Sequence, residues 1–128
     1  MSKVFVLMVT MLAATAVYAQ IPLQGDITAH TTLTANNTYL LQGFVRVQSG
    51  VTLTIEAGTV IYGENSSQGT LIVKPGGKVI AEGTQNSPIV FTSEFTKPGA
   101  SRPPTYGDWG GIIILGNAPI NVPGGTTA

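Results

Sequence analysis

The sequence predicts an all-β protein built as a solenoid, a right-handed parallel β-helix of about three coils. Three observations lead there. First, apolar residues alternate in short runs rich in Val, Ile and Thr; each run ends at a turn, most of them with Gly, and no helical period appears from Ile27 onward. Second, one segment repeats another in the same direction, Leu53 answering to Val79 at an offset of 26; a period of about 20–50 residues is the mark of a solenoid. Third, only 9% of the 128 residues are charged, against about 25% in an average globular protein. Stacked coils set equivalent side chains ~4.8 Å apart, where like charges repel and Thr or Asn ladders do not.

The chain opens with an address. In residues 1–19, Lys3 supplies a positive start, Val4 to Val17 an apolar run, and Val17-Tyr18-Ala19 a cleavage-like ending, so the mature chain is expected to begin at Gln20. The run is shorter than the ~20 apolar residues a spanning helix needs. No transmembrane segment is therefore expected after signal removal. All three Met residues lie in this leader. Residues 20–35, with Pro22, Gly25 and His30, read as a polar lead-in or cap, and 36–128 as the coils.

Strands follow in order. Phe44–Val47 ends at Gln48-Ser49-Gly50, and Val51–Ile55 alternates cleanly before Glu56-Ala57-Gly58. Thr59–Tyr62 ends at Gly63, Leu71–Val73 at Lys74-Pro75-Gly76-Gly77, and Lys78–Ala81 at Glu82-Gly83. Pro88–Thr92 comes next, and Ile112–Leu115 is bracketed by glycines. The repeat sets Val47–Thr59 over Val73–Thr84, which places Leu53 on Val79 and Ile55 on Ala81 inside, and Thr52 on Lys78, Thr54 on Ile80 and Glu56 on Glu82 outside. An antiparallel sandwich is the rival. Its Asn-Gly or Asp-Gly hairpin turns do not occur here, and a direct repeat suits stacking better than reversal. Residues 95–107, with Pro98, Gly99, Pro103 and Pro104, read as an extended loop leaving the coil. The last coil ends in Asn117–Ala128 without a helix, a charged run or a closing aromatic layer, so the chain is expected to be a piece of a longer protein, truncated at its C-terminal end.

Several segments together carry a resemblance. They are Asn37–Val45, Leu53–Ile61, Ala81-Glu82-Gly83-Thr84, Pro88–Ser93 and Trp109–Ala118. Over about residues 27–125 the chain resembles the N-terminal region of large secreted β-helix-like proteins of Bacteroidota-type bacteria, many of which carry a C-terminal type IX secretion sorting domain. The resemblance implies export to the outer surface or medium, with the periplasm as the other destination. It transfers no catalytic residue.

Composition excludes several chemistries. Without Cys there are no disulfides, thiolate metal sites or Cys nucleophiles, and the one His, His30, rules out a multi-histidine metal site. Net charge is zero for the whole chain and −1 once Lys3 is removed, which argues against a nucleic-acid surface. The phosphate-binding, dinucleotide, nucleophile-elbow and zinc-protease motifs are all missing. Asp26 and Asp108 are far apart, and Arg46 and Arg102 lie near neither a second Arg nor an Asp pair, so the Asp-plus-base set of β-helix polysaccharide lyases is not assembled. Glycosidase chemistry needs two flanking carboxylates. Glu56 and Glu82 read as solvated acids at a turn, as do Glu64 and Glu94 in their loops.

The expected site is therefore a binding site, with no catalytic residues, no metal and no cofactor. Tyr106, Asp108 and Trp109 form the candidate ligand-binding cluster, since sugars stack on aromatic faces and hydrogen-bond to carboxylates. The competing account has Trp109 filling a coil corner. The functional expectation is a non-enzymatic exported scaffold at the cell surface, its partner an extracellular glycan or a surface molecule. The alternative is the N-terminal part of a polysaccharide-active β-helix enzyme whose catalytic coils lie beyond residue 128.

Overall fold

The computed structural model describes residues 20–116. The leader read at 1–19 and the open end of the last coil at 117–128 lie outside the described residues. Among the described residues nine strands follow one another: β1 (Gln20–Ile27), β2 (Thr31–Leu33), β3 (Thr38–Val47), β4 (Thr52–Ile55), β5 (Val60–Gly63), β6 (Thr70–Val73), β7 (Lys78–Ala81), β8 (Val90–Ser93) and β9 (Gly111–Ile114), with a single 3₁₀ turn at Glu94–Thr96. Every strand pairing is parallel. No helix among the described residues is long and apolar enough to cross a membrane.

The strands wind round three sides of a stack. The first halves of β1 and β3 lie on the first side with β5 and β8, the second halves on the second side with β6 and β9, and β2, β4 and β7 make the third. The alternating pattern of each strand sets the interior. Ladders run Ile21–Tyr39–Ile61–Phe91 on the first side, Val45–Leu71–Ile112 on the second and Leu33–Ile55–Ala81 on the third. Leu53 pairs with Val79, Thr52 with Lys78 and Thr54 with Ile80, the register that the internal repeat predicts. The middle levels are the most fully enclosed: Val45, Val47 and Leu53 are wholly buried. Tyr39 brings a hydroxyl inward, and it accepts the Thr34 backbone N–H at 2.8 Å.

Regular structure begins before residue 36. Gln20–Ile27 follows the same alternation, with Ile21 over Tyr39 and Leu23 over Leu41, and β1 and β2 add a level below the coils counted from residue 36. Pro22 is tolerated because β1 is an edge strand among the described residues, bonded only to β3, and an edge has no need of every N–H.

The corner between the first and second sides changes from level to level. At the two lower levels one strand simply bends there, at Gly25 and at Gly43, whose φ values of 68° and 63° lie in the left-handed region that glycine enters without a Cβ clash. At the next level the corner is the turn 64–69, between β5 and β6. At the level above it is the loop 94–110, between β8 and β9. The corner thus flares outward as the stack rises.

Candidate functional site

The flared corner carries the densest polar network among the described residues. Its hub is Asp108, only 3% exposed. The Arg102 guanidinium donates to its carboxylate from Nη2 at 2.7 Å and from Nη1 at 3.4 Å. The Thr105 backbone N–H donates to Oδ2 at 2.7 Å and the Thr105 hydroxyl to Oδ1 at 3.1 Å. From the end of β8, the Ser93 hydroxyl donates to Oδ2 at 3.2 Å. The Arg102 contact and then the Thr105 N–H hold the carboxyl well below the ordinary range, outweighing the opposite effect of burial. The guanidinium also stacks on Phe95, 3.8 Å from the ring centroid. Arg102 and Asp108 are therefore partners, although they stand apart from any charge cluster in the sequence.

The level below holds the loop from underneath. Asn65 Nδ2 donates to the Asp108 carbonyl at 3.0 Å, and Gln68 Nε2 donates to the Gly107 carbonyl at 3.2 Å. In return the Glu94 carboxylate accepts the Asn65 N–H at 3.1 Å. Glu64 accepts Gln42 Nε2 at 2.9 Å and the Ser67 hydroxyl at 2.8 Å. The Gln42 contact is the first cause holding the Glu64 carboxyl below its ordinary value. Gln24 donates to Gln42 in turn, so a polar ladder Gln24–Gln42–Glu64 climbs the corner. Glu64 and Glu94, solvated acids on the sequence reading, are working acceptors in this ladder and its upper rung.

The three residues singled out from the sequence go to different places. Tyr106 stands fully in solvent and, with Pro104 and Thr105, lines an open depression of about 480 Å³. Asp108 is buried beneath it and committed to Arg102, Thr105 and Ser93. Trp109 turns inward and packs on the core. It occupies the space left by Gly63, where a Cβ would lie 2.5 Å from the Trp109 Cβ. The interior ladder Leu23–Leu41–Gly63–Ser93 loses its large side chain at that rung, and the indole replaces it. The structure thus gives one exposed aromatic, one buried anchor and one core filler. Sequence reasoning missed Arg102, Asn65, Gln68 and Ser93, whose only signal was their polar type.

Elsewhere the titratable groups are dispersed. Glu56 accepts the Ala35 N–H at 3.4 Å, and Arg46 faces Asp26 at 3.7 Å on the outer surface. His30 Nδ1 accepts the Thr52 N–H at 3.0 Å, which ties the first level to the start of β4. Among the described residues no group of three or more His, Cys, Asp and Glu is arranged to hold a metal ion.

No curated protein and no solved structure matches the chain. The family model described as the pectate-lyase like beta helix domain matches residues 25–128, a span that takes in nearly all of the stack and the whole flared corner. The chain belongs to that family.

Proposed function

We propose that the chain is a non-enzymatic β-helix scaffold, exported to the outer surface or the medium, whose loop 94–110 binds extracellular glycan. The observation that carries the reading is Tyr106, held fully in solvent by a loop whose root is tied down through Asp108. An aromatic face presented by a preorganised loop pays little ordering entropy on binding, and sugars stack on such faces. The family description, with its polysaccharide-related name, supports a glycan as the ligand class. Glu64, Glu94 and Asp108 spend their oxygens on holding the corner together, which leaves them poorly placed to carry protons. The leader at 1–19 and the resemblance to secreted proteins of Bacteroidota-type bacteria support export. Processing to begin at Gln20 is the expected intact mass; retention of Met1 would count against export.

The test is a calorimetric titration of the protein with pectin, alginate and neutral plant glycans, alongside product analysis. Binding without turnover is expected, weakened several-fold by Tyr106→Ala, since an aromatic contact contributes about 0.5–1.5 kcal/mol beyond its burial, roughly two- to tenfold in affinity. Turnover abolished by Glu56→Gln or Glu82→Gln would overturn the scaffold reading. The family description also supports a second reading, the N-terminal part of a polysaccharide-active enzyme with its catalytic coils beyond residue 128. In that case the longer polypeptide would cleave a glycan that this chain only binds.

A further inference from the structure

The cations in the turns of this chain share an unusual neighbour. Six Lys and Arg occur in all. Lys74-Pro75 lies in the turn between β6 and β7, and Lys97-Pro98 and Arg102-Pro103 lie in the loop 94–110. Each of the three is followed by proline. Lys3 belongs to the leader. Arg46 sits inside β3, paired on both sides, with Asp26 of β1 and Ile72 of β6, and Lys78 opens β7, paired with Thr52 of β4.

Trypsin-class endoproteases choose Lys or Arg through a charged specificity pocket, attack that residue's own carbonyl and expel the nitrogen of the next residue. Proline in the next position has no N–H, locks its φ and confines the residue before it to extended geometry. Lys97 is in that state, with φ −65° and ψ 146°. Such a bond does not fit that class of active site. Exposed loops are otherwise the preferred places for nicking, and residues 101–107 are exposed throughout. Nor can the loop dispense with its cations. Lys97 Nζ rests 4.7 Å from the Tyr62 ring centroid, and Arg102 is the partner of Asp108. The residues that would invite cleavage are the ones that fasten the loop.

We infer that loop 94–110 is built to stay intact among trypsin-class endoproteases, proline closing the bond after each of its two cations, Lys97 and Arg102. Its control lies in the same loop: the Tyr106–Gly107 bond is exposed and is a substrate for chymotrypsin-class enzymes, which choose aromatic residues.

The experiment digests the full chain with trypsin and, in parallel, with chymotrypsin, and identifies fragments by mass. The expected result is chymotryptic cleavage after Tyr106 with no tryptic cleavage after Lys97 or Arg102. Pro98→Ala and Pro103→Ala should each release a tryptic fragment pair, at Lys97 or Arg102, that the wild type does not give. A double variant, Lys97→Gln with Pro98→Ala, should be as resistant at that site as the wild type. Tryptic cleavage of the wild type after Lys97 or Arg102 would overturn the inference. So would resistance of the loop to both enzymes, which would make rigidity the cause, or continued resistance of the alanine variants. Breakdown of the double variant would overturn it as well, because loosening of the loop would then explain the cleavage.

Discussion

The third side of the stack and the flared corner are made by the same chain and held by different forces. On the third side, β4 lies between β2 and β7 and contributes Leu53 and Ile55, both buried in aliphatic surroundings. Burial of one such side chain is worth about 1.5–3 kcal/mol, and each level adds the same kind of contribution. In the loop 94–110 only Trp109 packs against the core. The rest is secured by hydrogen bonds that converge on Asp108 and on the carbonyls of Gly107 and Asp108; those to the carbonyls are each worth a net ~0.5–1.5 kcal/mol, and those to the Asp108 carboxylate are of the stronger, charge-assisted kind. A repeating wall is stabilised by repetition. An insertion outside the repeat has to satisfy its polar groups one at a time, and this one uses residues from its own loop, from β8 and from the turn below.

The wall should be the more sensitive of the two regions. Leu53→Ala removes a fully buried side chain between the levels of Thr31 and Val79, and a loss of about 2–5 kcal/mol is expected in urea unfolding of the full chain. Thr54→Ala, one residue along and facing outward, should stay within about 0.5 kcal/mol. Similar costs for the two would show that the inward ladder is not what holds the stack.

Gly63 is the point where wall and corner meet. Gly63→Ala drives a Cβ into Trp109, and overpacking of this kind costs about 1–3 kcal/mol. Trp109 is the only Trp in the chain, so its emission should shift to the red as the indole is displaced toward water. An unchanged spectrum would mean that the indole does not fill that rung.

The two regions were unequally legible in the sequence, and for a physical reason. A ladder needs equivalent residues at equivalent positions, so Val47–Thr59 and Val73–Thr84 resemble each other, and the pairing of Leu53 with Val79 could be read off directly. β1 was hidden because Pro22 and Gly25 look like loop residues, and an edge strand tolerates both. The corner has no repeat to betray it. Arg102 and Asp108 meet because the loop folds back, a contact that no spacing rule encodes, and the slot for Trp109 is opened by a glycine at position 63, far away in sequence. The aromatic–acid–aromatic cluster was visible as a set of residue types, while its division into exposed face, buried anchor and core filler depended on the tertiary path.

A smaller effect isolates the corner from the wall. Asp108→Asn keeps the shape of the side chain and removes the charge that receives Arg102. The cooperative melt of the sheet should move little, while chymotryptic cleavage after Tyr106 should become several-fold faster as the loop loosens. A large fall in the melting temperature would mean that the corner, and not the apolar wall, supports the stack.

Acid should have the smallest effect, and it should act on the corner. Asp108 and Glu64 both have carboxyls held below their ordinary values, Asp108 by far the more strongly. A group of this kind binds its proton less readily in the folded state than in the unfolded one. Its stabilising contribution is complete above the unfolded value, near ~4, declines as the pH falls below that, and is gone once the pH has passed the folded value. Between pH 7 and 5, therefore, neither the sheet nor the loop should respond through these groups. Below about pH 4 the Glu64 contacts with Gln42 and Ser67 should weaken first. Their loss should cost no more than about 1 kcal/mol, the usual worth of an exposed charged contact. The Asp108 ties should follow at still lower pH, reported by Trp109 emission while the far-ultraviolet sheet signal persists, because the apolar core on which the inward ladders close contains no carboxylate among the described residues. Simultaneous loss of the sheet signal and the Trp109 signal would show that wall and corner unfold as one unit, and the separation drawn between them would fail.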